Sequence, residues 1–157
     1  MKKIAMGTGD WILVCDGRKA LVLVNKGDEK FPNLQILNTF EQPSSSTHEL
    51  GADAPGRVHQ SQGVARSAVR QTDWHDAAEK RFLESVANWI AEAIASPTAP
   101  GAIFVIASPR ALGMIREAYS PALRKKIKAE IGKDYVTLPI HELEKRITAD
   151  LENVNHH

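Results

Sequence analysis

Trp11-Ile12-Leu13-Val14-Cys15-Asp16-Gly17-Arg18-Lys19-Ala20-Leu21-Val22-Leu23-Val24 is the stretch that decides how this chain folds. Two apolar runs, Trp11 to Cys15 and Ala20 to Val24, flank the Asp16-Gly17 step. An Asp-Gly step between apolar runs is a strong hairpin signal, because glycine takes the positive φ that a tight turn demands. The stretch predicts two antiparallel strands with Gly17 supplying that positive φ. Asn25-Lys26-Gly27-Asp28 reads as the next turn and Leu34 to Phe40 as a third strand, so an antiparallel meander opens the chain.

Outward from the meander the pattern changes. From about residue 42 to 71 the chain is rich in Ser, Pro and Gly and shows no periodicity. Such a loop is too long for an ordinary connection, and long loops in compact domains are functional or disordered. Helical periodicity begins at Asp73, a good N-cap. Trp74, Ala78, Phe82, Val86, Ile90 and Ile94 then recur every fourth residue and form one apolar stripe, ended by Pro97 and Pro100. Ala102 to Ala107 is a continuous apolar run and reads as a buried strand. Ser108-Pro109 is an N-cap followed by a first-turn proline, starting a helix to about Tyr119. Ser120-Pro121 repeats the device for a helix ending near Gly132. Tyr135 to Leu138 reads as the last strand, and Pro139 starts a helix with Ile140, Leu143, Ile147 and Leu151 on one face. The order predicts an α/β fold: a ribonuclease H-like mixed five-stranded sheet, an antiparallel meander followed by strand–helix units, with packed helices. Residues 1–152 read as one domain and 153–157 as a tail, with His156 and His157 read as a tag remnant and kept out of metal arguments.

Composition narrows the function classes. The 157 residues are 43% hydrophobic and 25% charged, as in ordinary globular chains. A formal net charge of +1 gives no global basic field, so nucleic-acid binding has to come from a local patch. One cysteine, Cys15, rules out an intrachain disulfide, and its apolar run marks it as a buried small hydrophobe rather than a reactive thiol. The apolar run needed for a signal peptide is broken at Gly7, Thr8, Gly9 and Asp10, and no run approaches the roughly 20 residues of a membrane span. A cytoplasmic protein without membrane insertion is expected.

Six segments carry a resemblance. They are Trp11 to Gly17, Lys30-Phe31-Pro32-Asn33-Leu34, Ala54-Pro55-Gly56-Arg57, Thr72-Asp73-Trp74-His75 with Arg81-Phe82, Ala107-Ser108-Pro109-Arg110-Ala111-Leu112-Gly113, and Lys133-Asp134 ahead of Pro139. In that order and spacing they resemble the host-attachment protein family of bacteria, over about Trp11 to Ile147. The family is named for a requirement in attachment to host cells. Its fold resembles the middle domain of archaeal and eukaryotic peptide-chain release factors, a ribonuclease H-like module whose long loop carries a Gly-Gly-Gln tripeptide. Here the loop reads Gly56-Arg57-Val58-His59-Gln60-Ser61-Gln62-Gly63, without Gly-Gly-Gln. The resemblance implies a ribosome- or RNA-associated role, and the departure points away from peptidyl-tRNA hydrolysis.

Three groups of residues are candidate sites, each with a plainer alternative. The loop, with Gly56, Arg57, His59, Gln60, Gln62 and Arg66, reads as a contact surface, because a guanidinium fork matches phosphate geometry; the alternative is a solvated loop without a ligand. Ser108 and Arg110, at the end of a buried strand, read as an anion site or as a cap beside a surface arginine. Arg116, Arg124, Lys125 and Lys128, with Lys126 and Lys133, form a basic patch that reads as an RNA contact or as a solvated helix face. Asp16 with Asp73, Asp76 and Glu79 invites comparison with a metal nuclease, yet turn and helix-start chemistry already explains these acids. His75 and Glu79 lie one helical turn apart but lack a third ligand. No metal or cofactor is expected.

The leading expectation is a ribosome- or RNA-associated factor, leaning away from an enzyme. The alternatives are a ribonuclease H-like hydrolase, either nuclease or esterase, and a protein-interaction factor supporting attachment through an apolar patch near Trp74 or Phe31.

Overall fold

The computed structural model describes residues 3–43 and 64–155. Strands β1 (Trp11–Cys15), β2 (Lys19–Asn25) and β3 (Leu34–Glu41) form the expected meander. Helix α1 (Val64–Ala93), strand β4 (Ile103–Ala107), helices α2 (Pro109–Arg116) and α3 (Pro121–Lys126), strand β5 (Ile127–Gly132) and helix α4 (Ile140–Asn155) follow. The strands make one mixed five-stranded sheet in the order β3-β2-β1-β4-β5. β1 pairs antiparallel with β2 and parallel with β4, and β4 pairs parallel with β5. This arrangement is compatible with the ribonuclease H-like expectation.

Both faces of the central strands are covered, which is why β1, β2 and β4 read as continuous apolar runs rather than alternating ones. Leu13, Val22 and Val105 face one core with Leu83, Val86 and Ile90 of α1 and with Ile115 and Leu123 from α2 and α3. Ile12, Leu23 and Phe104 face the other core with Leu143, Ile147 and Leu151 of α4. The molecule thus has three layers, with α1, α2 and α3 on one face of the sheet and α4 on the other. The expected buried state of Cys15 holds: it is fully buried, and burial pushes its thiol up to about 12, so it stays protonated at neutral pH.

Several expectations are corrected. Gly17 does not take a positive φ; among the described residues only Gly9 does. The hairpin is closed instead by Asp16, whose carboxylate accepts from Arg18 N and Lys19 N, each at 2.8 Å. Gly17 instead lies against the Glu79 side chain, which a methyl group there would push aside. The helix expected to start at Asp73 starts at Val64, so Asp73 is interior and not an N-cap. Val64-Ala65-Arg66-Ser67-Ala68-Val69-Arg70 contains good helix formers and no Gly or Pro, so the helix begins directly after Gly63. The loop reading therefore gives up residues 64–71 to α1.

The helix expected to run to Gly132 ends at Lys126, and the last strand is Ile127–Gly132 rather than Tyr135 to Leu138. Pairing with β4, which sets Ile127 against Ile103 and Ala129 to Gly132 against Phe104 to Ala107, outweighs the helix propensity of Lys, Ala and Glu. Tyr135 and Val136 are buried in the second core as part of a turn closed by Leu138 N on Tyr135 O at 3.0 Å. Residues 153–155, read as tail, complete α4. Asn155 there accepts from Ile4 N and donates to Ile4 O, both at 2.8 Å, and so ties the N-terminal arm to the last helix.

Candidate functional site

A helix of 30 residues is about 45 Å long, whereas a strand of 5 to 8 residues spans about 17–27 Å. Helix α1 therefore overhangs the sheet, and its apolar stripe continues past the core. Phe82, Val86 and Ile90 are buried, but Trp74 at the other end of the stripe is 50% exposed. Where the stripe leaves the core, it faces the end of β3. The two enclose a cleft of about 580 Å³, within the ordinary range for ligand sites. One wall is Thr39 to Pro43; the other is the α1 face bearing Trp74, His75, Ala78, Arg81 and Ser85.

The floor of the cleft is rigid. Phe40 meets Trp89 edge-on at 5.3 Å between ring centroids, and Trp89 stacks on Trp11 at 6.0 Å. Phe82 closes the floor from the helix side. The β3 wall is also pinned: Gln42 N donates to Arg18 O at 2.7 Å and Gln42 Nε2 to Gly17 O at 3.1 Å. These bonds leave the Gln42 amide oxygen without a donor among the described residues. Arg81 is exposed and has no carboxylate partner among the described residues. The cleft thus joins an exposed indole, a cation and a fixed hydrogen-bond acceptor over an aromatic floor.

At the carboxyl ends of β1 and β4 the residues singled out from sequence come together. Ser108 caps α2, its hydroxyl accepting from Ala111 N at 3.3 Å. The Arg110 guanidinium is held by Asp76 and by Glu79, the latter at 3.1 Å, and these carboxylates raise its pKa further. Arg110 therefore joins α2 to α1. Asp16 is occupied in its turn, and among the described residues no group of three His, Cys, Asp or Glu is placed to hold a metal ion.

The basic residues divide into two sets. Arg116 pairs with Glu130 at 2.9 Å, and Tyr119 donates to the same carboxylate at 2.8 Å. Burial alone would raise the Glu130 carboxyl, but the hydrogen bonds from Arg116 and Tyr119 prevail and hold it below its usual value. Arg124 lies over the Tyr119 ring at 5.5 Å and donates to Arg116 O, while Lys126 donates to Pro100 O at 2.9 Å. Lys125, Lys128 and Lys133 keep exposed side chains. Lys128 is the extra residue in an irregular β4–β5 register, since Ile103 faces Ile127 and Phe104 faces Ala129.

Of the loop residues, Arg66 falls in the opening turn of α1, and Gly56, Arg57, His59, Gln60 and Gln62 lie outside the described residues. Phe31 is 77% exposed, beside Lys145 and Thr148 of α4. Sequence reasoning missed Phe40, Gln42 and Arg81 as cleft residues. The available signal was Trp74, a large aromatic placed on an apolar stripe a full two turns before the first buried member. Among the described residues no helix is long and apolar enough to cross a membrane.

No curated protein matches the chain. A family model described as "protein required for attachment to host cells" matches residues 11–147, most of the sequence, and the chain belongs to that family.

Proposed function

We propose that this host-attachment family protein is a cytoplasmic RNA- or ribosome-associated factor, acting by contact rather than by hydrolysis. The observation that carries the reading is the cleft beside β3, where half-exposed Trp74 and Arg81, which has no carboxylate partner among the described residues, stand over an aromatic floor. Proteins take single-stranded RNA with such pairs, an aromatic ring for the bases and a cation for the backbone. Arg57, Arg66 and Arg70 precede Trp74 in the sequence, so further cations arrive on the same length of chain. The resemblance of the family's fold to a release-factor middle domain supports the same partner. The lack of Gly-Gly-Gln supports contact over catalysis. A role in attachment to host cells is then indirect.

The test is a pulldown at low salt comparing wild type with Arg57→Ala and Arg66→Ala. Wild type is expected to recover RNA or ribosomal particles and both variants to lose much of that recovery. Equal recovery by all three proteins places the contact elsewhere, and no RNA with wild type removes the reading.

A further inference from the structure

We infer that the cleft is a base pocket: an unstacked base of single-stranded RNA lies on the Trp74 indole, while Arg81 meets the adjoining phosphate. The inference rests on the RNA reading above and narrows it to named atoms.

The lining dictates what its occupant must offer. Trp74 presents an exposed π face, which calls for a flat apolar partner. Arg81 calls for an anion within a side chain's reach of that partner, since it has no carboxylate of its own among the described residues. Contrast Arg110, Arg116 and Arg146, each already held by a carboxylate. Gln42 has its amide nitrogen fixed on Gly17 O, and its carbonyl oxygen has no donor among the described residues, which calls for a donor on the occupant's edge. A nucleobase with its phosphate has all three features: a flat face, exocyclic amino or ring N–H donors, and an anion. A duplex hides the face in its stack, so a single strand is the form that fits.

The geometry also favours a preorganised site. Phe40 is locked against Trp89, and Gln42 against the β1–β2 turn, so one wall and the floor lose little freedom on binding. The volume of about 580 Å³ holds a single nucleotide with water rather than a helix or a strand pair.

The tryptophans provide the readout. Trp11 and Trp89 stack on each other at the edge of the core, and Trp74 is in the cleft. Intrinsic fluorescence of the full chain is titrated with single-stranded oligouridylate and oligoadenylate, with duplex RNA as a parallel arm, and affinity is followed by anisotropy of the labelled oligomer. Wild type is expected to show saturable quenching by both single strands and none by the duplex. Trp74→Leu is expected to abolish the quenching and weaken affinity about tenfold, as loss of one stacked base does. Arg81→Ala is expected to keep the quenching but weaken affinity and flatten its salt dependence by about one phosphate contact. Because Trp74 is half-exposed, an unchanged urea midpoint shows that Trp74→Leu remains folded. RNA binding without quenching, or quenching that persists in Trp74→Leu, overturns the base pocket and leaves the RNA reading standing. Absence of any RNA binding overturns both.

Discussion

Asn25→Leu is expected to destabilise the protein by about 4 kcal/mol, because it removes four hydrogen bonds made by one fully buried side chain. Asn25 is the only fully buried polar side chain among the described residues. Its amide oxygen accepts from Gly27 N and Asn33 N, both at 2.9 Å, and its amide nitrogen donates to Met6 O at 3.0 Å and Asp28 O at 3.4 Å. One side chain therefore ties the N-terminal arm to both sides of the β2–β3 turn. Leucine fills nearly the same volume, so the change strands the backbone groups without opening a cavity. Each stranded group costs about 1–3 kcal/mol in desolvation. For a chain of this length that corresponds to a fall in Tm of about 12 °C. A urea midpoint unchanged from wild type would show that water satisfies these groups and that the network is dispensable.

Gly27→Ala is expected to cost about 3 kcal/mol, through overpacking of the same turn. A methyl group on Gly27 would press on the Phe31 carbonyl oxygen and lie 2.8 Å from Asn33 N. Both are backbone atoms, so no rotamer change relieves the contact. Moving them breaks Lys26 N to Asn33 O at 2.9 Å and Asp28 N to Phe31 O at 3.1 Å. Gly17→Ala is the control: its methyl group would meet only the end of the Glu79 side chain, which can swing aside, and the loss should be under about 1 kcal/mol. If equilibrium unfolding ranks the two substitutions the other way, the packing account of the turn is wrong. The turn matters to the cleft as well, because it fixes the start of β3, whose far end is the cleft wall.

The fold was legible wherever one local signal acted alone. The apolar runs of β1, β2 and β4 and the Ser-Pro caps at Ser108 and Ser120 found their elements, because burial on both faces and the geometry of a first-turn proline each leave a simple mark. Reading failed where two signals competed. Ile127 to Gly132 carries helix-forming residues, and sheet pairing with β4 decides the outcome. Val64 to Asp73 carries helix formers beside a Gly-rich stretch, and the composition of the stretch prevailed in the reading. Gly17 was found for the wrong reason, since it takes no positive φ and lies against Glu79, 62 positions away in sequence. The cleft was half legible. Trp74 and His75 stood out locally, but Gln42 and Arg81 become neighbours of them only because α1 overhangs the sheet edge at β3.

The central claim is that this protein binds single-stranded RNA through arginines and the Trp74 cleft. Its most direct test is the affinity of wild type for a single-stranded RNA oligomer as salt is raised. If Arg57, Arg66, Arg70 and Arg81 each meet a phosphate, log K should fall with log salt at a slope of about −3, and affinity should drop about 50-fold between roughly 50 and 200 mM. An affinity indifferent to salt, or no binding at the low end of that range, contradicts the account.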